Sequence, residues 1–476
     1  MAICSAKDEN MPHAELPVRP IQPNNMTQTQ SIPIRTKPTE ERKQHKHSRS
    51  SYSEAGSFLN SRNSSLTFHR PAKRSMPSPN KTIAVINAGG RQACSVVRYA
   101  TAVGYHVRAQ MRNVEGLQAQ EVAMNPNVTL FEEELYTRQG PKSEHADLTQ
   151  DGSIPGIGVN HALISKLFEG AQLAFINTTF YGDEVEIGEA LADAAKAAGV
   201  QHFIYSSMPD HHAYNEDWPS LPLWASKHKV EEYIKSIDLP ATFVYTGIYN
   251  NNFTSLLYPL FCMELQDDGS FVWQAPFHPD AKLPWLDAEH DVGPAILQVF
   301  KDGIPKWGGK RVALAWEVLT PREACEQFAK GLGRKVTYVR GEIELKVKIP
   351  DGYRIQLEAL EKLFLLGGDD PAKQPPYFGD RALEESCPHV AEQLWEGPRL
   401  LEEYAREVFP VEEHANRRTW MLEDEDGDEG AAGDEEFELV GSPGRGQVGD
   451  EEDSEDEDEG LMMRQAARRG DQEWLA

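Results

Sequence analysis

Apolar and polar positions change rhythm twice along this chain of 476 residues. Over residues 1–80 no apolar period is sustained and Ser, Pro, Asn, Gln, Lys and Arg dominate. Such a stretch cannot bury enough surface to offset the entropy of ordering, so we read it as a disordered basic arm. Residues 422–476 read likewise as a disordered acidic tail. Between them, short apolar runs alternate with stretches of helical period, the pattern of a parallel sheet with helices on both faces. Strands are expected over 82–86, 106–111, 128–131, 173–177, 203–207 and 242–246, and helices over 91–103, 184–198 and 225–236. In the helix over 184–198, Ile187, Leu191, Ala194 and Ala195 share a face and Gly199 is its stop. The polar stretch 136–160 contains four glycines and looks like a surface insertion. Beyond Gly247 the alternation breaks into strands at 271–273, 283–286, 311–314 and 336–339, set among helices at 289–301, 321–331, 352–365 and 388–407. The chain therefore reads as α/β: a doubly wound domain at 81–247 and a smaller α+β lobe at 248–421, partly interleaved with it.

Charge distinguishes the two ends. The formal net charge is −27, yet residues 1–80 hold 12 Lys/Arg against 6 Asp/Glu while 421–476 hold 4 against 21. An acidic body repels phosphates, which argues against nucleic-acid binding by the folded part. The basic run Glu41–Arg49 is either solvated linker or a nuclear-import signal, and Ser442-Pro443 suits either a regulated tail or a merely solubilising one. Five cysteines, far apart and without CxxC spacing, suggest neither a disulfide framework nor a zinc site. No apolar run approaches a membrane span, and the first ten residues lack the apolar stretch of a signal peptide. The expectation is a soluble protein of the nucleus, the cytoplasm or both.

The candidate chemistry begins at the first strand. Lys81 to Ile86 leads into Asn87-Ala88-Gly89-Gly90-Arg91-Gln92-Ala93, a departure from GxGxxG in which Asn replaces the first glycine and Ala the last. Strand, turn, helix and second strand follow at the spacing of a dinucleotide-binding Rossmann unit. Small residues in the turn let the backbone approach a pyrophosphate, and the helix start supplies amide donors. An NAD-specific site usually places Asp or Glu at the end of the second strand; here that strand ends Gln110-Met111-Arg112-Asn113. Arg112 either accepts a 2′-phosphate, admitting NADP without excluding NAD, or is an exposed strand-end charge.

Short-chain dehydrogenases pair a Ser after the fifth strand with a Tyr four residues before a Lys. Ser206, Ser207 and Lys227 occupy such places, but Leu223 stands where the Tyr belongs and can neither give nor take a proton. Lys227 remains able to hold the nicotinamide ribose. Asp210-His211-His212 is a poor metal cluster, because adjacent histidines do not easily point at one ion. Asp287 to Asp291 is either a catalytic carboxylate set or a helix cap, with capping favoured. Tyr249-Asn250-Asn251-Asn252-Phe253 follows a strand's C-terminal end, where open α/β sheets bind ligands, and is either a ligand loop or a structural turn.

Together these segments resemble the NmrA-like family. The likeness is carried by Thr82 to Val85, Asn87-Ala88, Gly90 to Ala93, Val107 to Gln110, Ala174 to Thr179, Tyr205 to His211, Tyr249 to Ser255, Pro284 to Gly293 and Glu403 to Pro410, over about 82–421. The resemblance implies an atypical short-chain dehydrogenase fold that binds NAD or NADP without evident catalysis. It further implies a negative transcriptional regulator of nitrogen metabolite repression, restraining a GATA-type zinc-finger activator through that activator's finger and C-terminal segment, as a dinucleotide or redox sensor. Family contacts carried to matching positions are Asn87, Ala88, Gly89, Gly90, Arg91 and Gln92 at the phosphates, and Arg112 and Asn113 near the adenosine. Thr178 and Thr179 follow after the fourth strand, then Lys227 at the ribose and Tyr249, Asn250, Asn251 and Asn252 near the nicotinamide. Gly89 departs from the family's frequent Thr or Ser, as do the insertion, the arm and the tail. The alternative is an NAD(P)H-dependent reductase working with Lys227.

Overall fold

Seven short runs pair into one sheet: β1 (Thr82–Val85), β2 (His106–Met111), β3 (Val128–Glu132), β4 (Leu173–Ile176), β5 (His202–Ser207), β6 (Ala241–Thr246) and β7 (Arg311–Leu314). Their order is β7-β6-β5-β4-β1-β2-β3 and every pairing is parallel. The computed structural model describes residues 81–114, 116–137, 158–418 and 420. The basic arm, the acidic tail with Ser442-Pro443, and 138–157 of the expected insertion lie outside the described residues.

Successive strand residues point to opposite faces. Ala84, Ala174, Ile176, Phe203, Tyr205 and Phe243 join one core, and Ile83, Val85, Leu173, Phe175, Ile204 and Val244 the other. Both faces are covered, which is why these strands read as continuous apolar runs. The cover comes from α1 (Arg91–Ala102), α2 (Leu117–Ala123), α3 (His161–Leu167), α4 (Glu184–Ala197), α5 (Pro222–Ser236) and α6 (Ala288–Asp302). Asp183 starts α4 by accepting from the amides of Val185 and Glu186, each at 3.0 Å, and Gly199 ends it at φ 73°. Helices α1 and α6 pack closely because Gly293 has no side chain: its amide donates to Ser95 Oγ at 2.9 Å, and a Cβ there would collide with the Ser95 carbonyl.

The strand expected in the smaller lobe at 311–314 extends the large sheet beside β6, because the chain returns after α6 has packed on α1. The single helix expected over 388–407 is two, His389–Leu394 and Leu401–Glu407, since Gly397-Pro398 falls between them. Helices α2 and α3, each of 7 residues, were not expected; neither is long enough to show a helical period.

A two-stranded antiparallel pair, Tyr136–Thr137 with Gly158–Val159, joins the two ends of the expected insertion, and two three-stranded sheets complete the fold: Met263–Leu265, Phe271–Ala275 and Val336–Arg340, and Ile248–Tyr249, Leu283–Leu286 and Glu317–Leu319. Phe253 sits between them, its ring 5.2 Å from Trp273 and 5.6 Å from Trp285. Around them lie α7 (Pro321–Leu332) and α8 (Asp351–Leu365), then, after α9 (His389–Leu394), which packs on α6 and β7, α10 (Leu401–Glu407) and α11 (Phe409–Ala415). Among the described residues no helix is long and apolar enough to cross a membrane.

Candidate dinucleotide-binding site

The strand order reverses between β1 and β4, and such a reversal opens a crevice at the carboxyl ends of the strands. The turn leaving β1 sits there. Asn87 has φ 53°, a left-handed conformation that Asn tolerates better than other side chains, which is why it stands where glycine was expected. Its amide donates to Gln110 Oε1 at 3.1 Å and its Nδ2 to the Asn177 carbonyl at 2.6 Å, tying the turn to β2 and to the end of β4. The amides of Ala88 and Gly90 donate to the carbonyls of Gln110 and Asn87. Gly90 begins α1 without a side-chain cap, so the donors and positive dipole end of that helix are left for a ligand. A Cβ on Gly89 would stand 3.1 Å from the Ala119 Cβ of α2, so Thr or Ser there would require α2 to shift slightly.

Gln92 and Tyr249 are fully buried and hydrogen-bonded to one another, which anchors the 249–252 loop beneath the turn. Asn251 accepts from the Ala288 amide at 2.9 Å and so supports the start of α6. Asn250 is fully buried, with no partner for its side-chain oxygen or nitrogen among the described residues. Asn252 is half-buried. On the other side, Lys227 Nζ lies 3.0 Å from Glu184 Oε1 and donates to the Thr178 carbonyl at 2.6 Å. Glu184 also accepts from Thr178 Oγ1 at 2.7 Å and from Ser226 Oγ. The Tyr205 hydroxyl shares a hydrogen bond of 2.9 Å with Thr178, and burial beside Glu184 holds its phenol well above the usual tyrosine range. That is the opposite of what a general base needs. Leu223, expected at the place of a dehydrogenase's Tyr, is buried and its amide donates to Gln356.

Ser207 belongs to a separate buried network. Ser207 Oγ donates to Glu231 Oε2 at 2.7 Å, and Glu231 also takes Tyr245, Lys235 and Arg311. Burial alone would raise the Glu231 pKa; Arg311 and Lys235 outweigh it and the net shift is downward. His211 and His212 do not converge either, since one ring meets the Pro376 carbonyl and the other that of Trp218. Asp287 caps α6 through the amides of Glu289 and His290, each at 3.1 Å, and burial raises its pKa.

Arg112 lies past the end of β2 with its guanidinium 4.0 Å from the centre of the Tyr181 ring, and Tyr181 stacks on Phe180 at 4.7 Å. Among the described residues no carboxylate pairs with Arg112. Asn113 and Thr179 are half-buried beside these elements. Residues following β2 and β4 therefore meet across the end of β1. Sequence reasoning missed Tyr181, Glu184, Gln110 and Asn177. Phe180-Tyr181, directly after Thr178-Thr179, was a readable signal, whereas Glu184 looked like any acidic residue in a helix's first turn.

The NmrA-like family model matches residues 79–405. The chain belongs to this family. It is 70% identical over 419 residues to the nitrogen metabolite repression protein nmr of Neurospora crassa, covering 87% of this chain and 84% of that protein. Solved structures of Nmra, a negative transcriptional regulator, include one in complex with NAD and one with NADP. Each is 53% identical, covers 72% of this chain and 99% of its own, and superposes with a TM-score of 0.63. The NmrA-like chain in hand fits such a ligand on its own geometry: an uncapped helix start, a left-handed Asn holding the turn open, and a buried Asn250 with unmet hydrogen-bonding capacity.

Proposed function

We propose that this protein is a non-catalytic, NAD(P)-binding negative regulator of nitrogen metabolite repression, acting by binding a GATA-type zinc-finger activator in the nucleus or cytoplasm. The carrying observation is a site whose phosphate end is open while its chemical end is closed. The turn 87–92 leaves α1 uncapped, yet Leu223 replaces the proton donor and Lys227 is locked to Glu184. Arg112, without a carboxylate partner among the described residues, suits a 2′-phosphate, so NADP binds as well as NAD. We assign Lys227 to the ribose and Asn250, whose side chain has unmet hydrogen-bonding capacity, to the nicotinamide carboxamide, which both donates and accepts. Neither nucleotide is turned over, so the protein senses rather than uses them.

The regulatory reading is supported by the named function of the Neurospora relative and by the acidic balance of the chain, which favours a basic partner such as a zinc finger. Two measurements test it. Capture of the activator's zinc finger plus C-terminal segment by the full chain, with residues 421–476 present or deleted, supports the regulator; no capture in either form removes it. Consumption of NADPH at 340 nm with a carbonyl panel, lost in Lys227→Ala, establishes the reductase instead.

A further inference from the structure

The first residue of α1 is held from two sides. One guanidinium nitrogen of Arg91 bonds Glu289 at the start of α6 and lies 2.9 Å from Glu412 Oε1 on α11. The three side chains are only 18%, 20% and 24% exposed. Glu289 also accepts from Gln118, and Glu412 from the Tyr404 hydroxyl at 3.0 Å. The next residue, Glu413, is 1% exposed and accepts from Thr254 Oγ1 at 3.1 Å and the Ser255 amide at 3.0 Å, just past the 249–252 loop. Two consecutive carboxylates of α11 thus reach the site's two segments, one through Arg91 at the phosphate turn and one through the residues that follow the 249–252 loop.

The charges at the phosphate rim do not balance. Arg91 faces two carboxylates at the helix end where a dianionic pyrophosphate would lie; Arg98, which donates to the Glu289 carbonyl at 3.2 Å, is itself paired with Glu121, so among the described residues the excess is negative. A guanidinium fork matches phosphate oxygens as well as it matches a carboxylate. Resting on the dinucleotide reading of this crevice, we infer that Arg91 passes from Glu412 to the pyrophosphate when the nucleotide binds. Occupancy then loosens α11, and α11 in turn restrains nucleotide affinity, because coupling between two sites is reciprocal. Glu413 keeps its own bonds to Thr254 and Ser255, so α11 loosens without leaving.

The test uses the full chain, with NADP binding measured by calorimetry and amide exchange followed over 409–415. Saturating NADP is expected to speed exchange in α11 at least about twofold, and Glu412→Gln to bind NADP roughly three- to tenfold tighter, the effect of removing one unit charge near a partly exposed ion. In Arg91→Met, exchange over 409–415 should no longer respond to NADP. Measured NADP binding with unchanged or slower exchange, or no gain in affinity in Glu412→Gln, overturns the coupling and leaves the site reading intact. If Glu412→Gln folds poorly, the Arg91→Met comparison decides. Failure of NADP to bind the unaltered chain overturns both.

Discussion

Replacing Glu184 by Gln, Lys227 by Met, and then both, measures how far Lys227 is committed to the fold. Nζ and Oε1 are 3.0 Å apart and the two side chains are only 5% and 6% exposed. At that distance, with an effective dielectric constant of about 20, the attraction is about 5 kcal/mol. Taking both ions out of water costs several kcal/mol each, so the intact pair adds little net stability. Removing one partner strands the other, at a cost of about 3–5 kcal/mol. Thr178, Tyr205 and Ser226 would each lose part of a shared network as well. Against a total of about 5–15 kcal/mol for a folded domain, that is a large fraction. Urea unfolding followed by tryptophan fluorescence should show each single variant destabilised by roughly 3 kcal/mol or more, and the double variant by less than the sum, with a coupling of about 2 kcal/mol or more. Single costs under about 1 kcal/mol that simply add would refute the reasoning: the pair would then be loose, and Lys227 free for chemistry.

Burial lowers the His211 pKa to about 4, below its unfolded value. Its contribution is therefore present at pH 7 and lost as pH falls below 6.5, by about 2 kcal/mol at pH 5. Glu384, raised by burial to about 7, acts in the opposite direction, so the check compares urea midpoints of the unaltered chain and His211→Phe at pH 7 and pH 5; equal pH dependence contradicts it. Gly293→Val should destabilise by about 3 kcal/mol or more, because its side chain would enter the α1–α6 contact at Ser95, whereas a thermal midpoint within 2 °C would show that contact to be yielding. Asn87→Gly keeps the left-handed turn but loses the bond to Asn177, while Asn87→Ala loses both. NAD affinity by calorimetry should fall in the order Asn, Gly, Ala, with Ala about tenfold or more below Asn, and equal affinity for Ala and Asn would refute the role given to the turn.

Much of the fold was legible because a parallel sheet writes itself plainly. Continuous apolar runs with helices between them located β1 to β6, and the turn after β1 was marked by its small residues. What stayed hidden depends on distance in space rather than in sequence. Strand β7 carries the same apolar signature as its neighbours, but nothing local says that it returns to β6 after α6. Lys227 was visible as a motif residue, whereas its lock, Glu184, lies 43 residues earlier and gave no sign of facing it. Asn251 looked like a ligand residue and supports α6, while Asn250 beside it is the one left with unmet hydrogen bonds. Runs of three asparagines carry no rule that separates these roles.

The central claim, a site that grips either dinucleotide and reads the 2′-phosphate through Arg112, is tested most directly by titrating NAD and NADP into the full chain and into Arg112→Ala. A charge-assisted contact from a half-buried guanidinium contributes about 1.5–3 kcal/mol, so Arg112→Ala should weaken NADP by roughly 10- to 100-fold and leave NAD within about threefold. Equal loss for both nucleotides, or no binding of either by the unaltered chain, would contradict it.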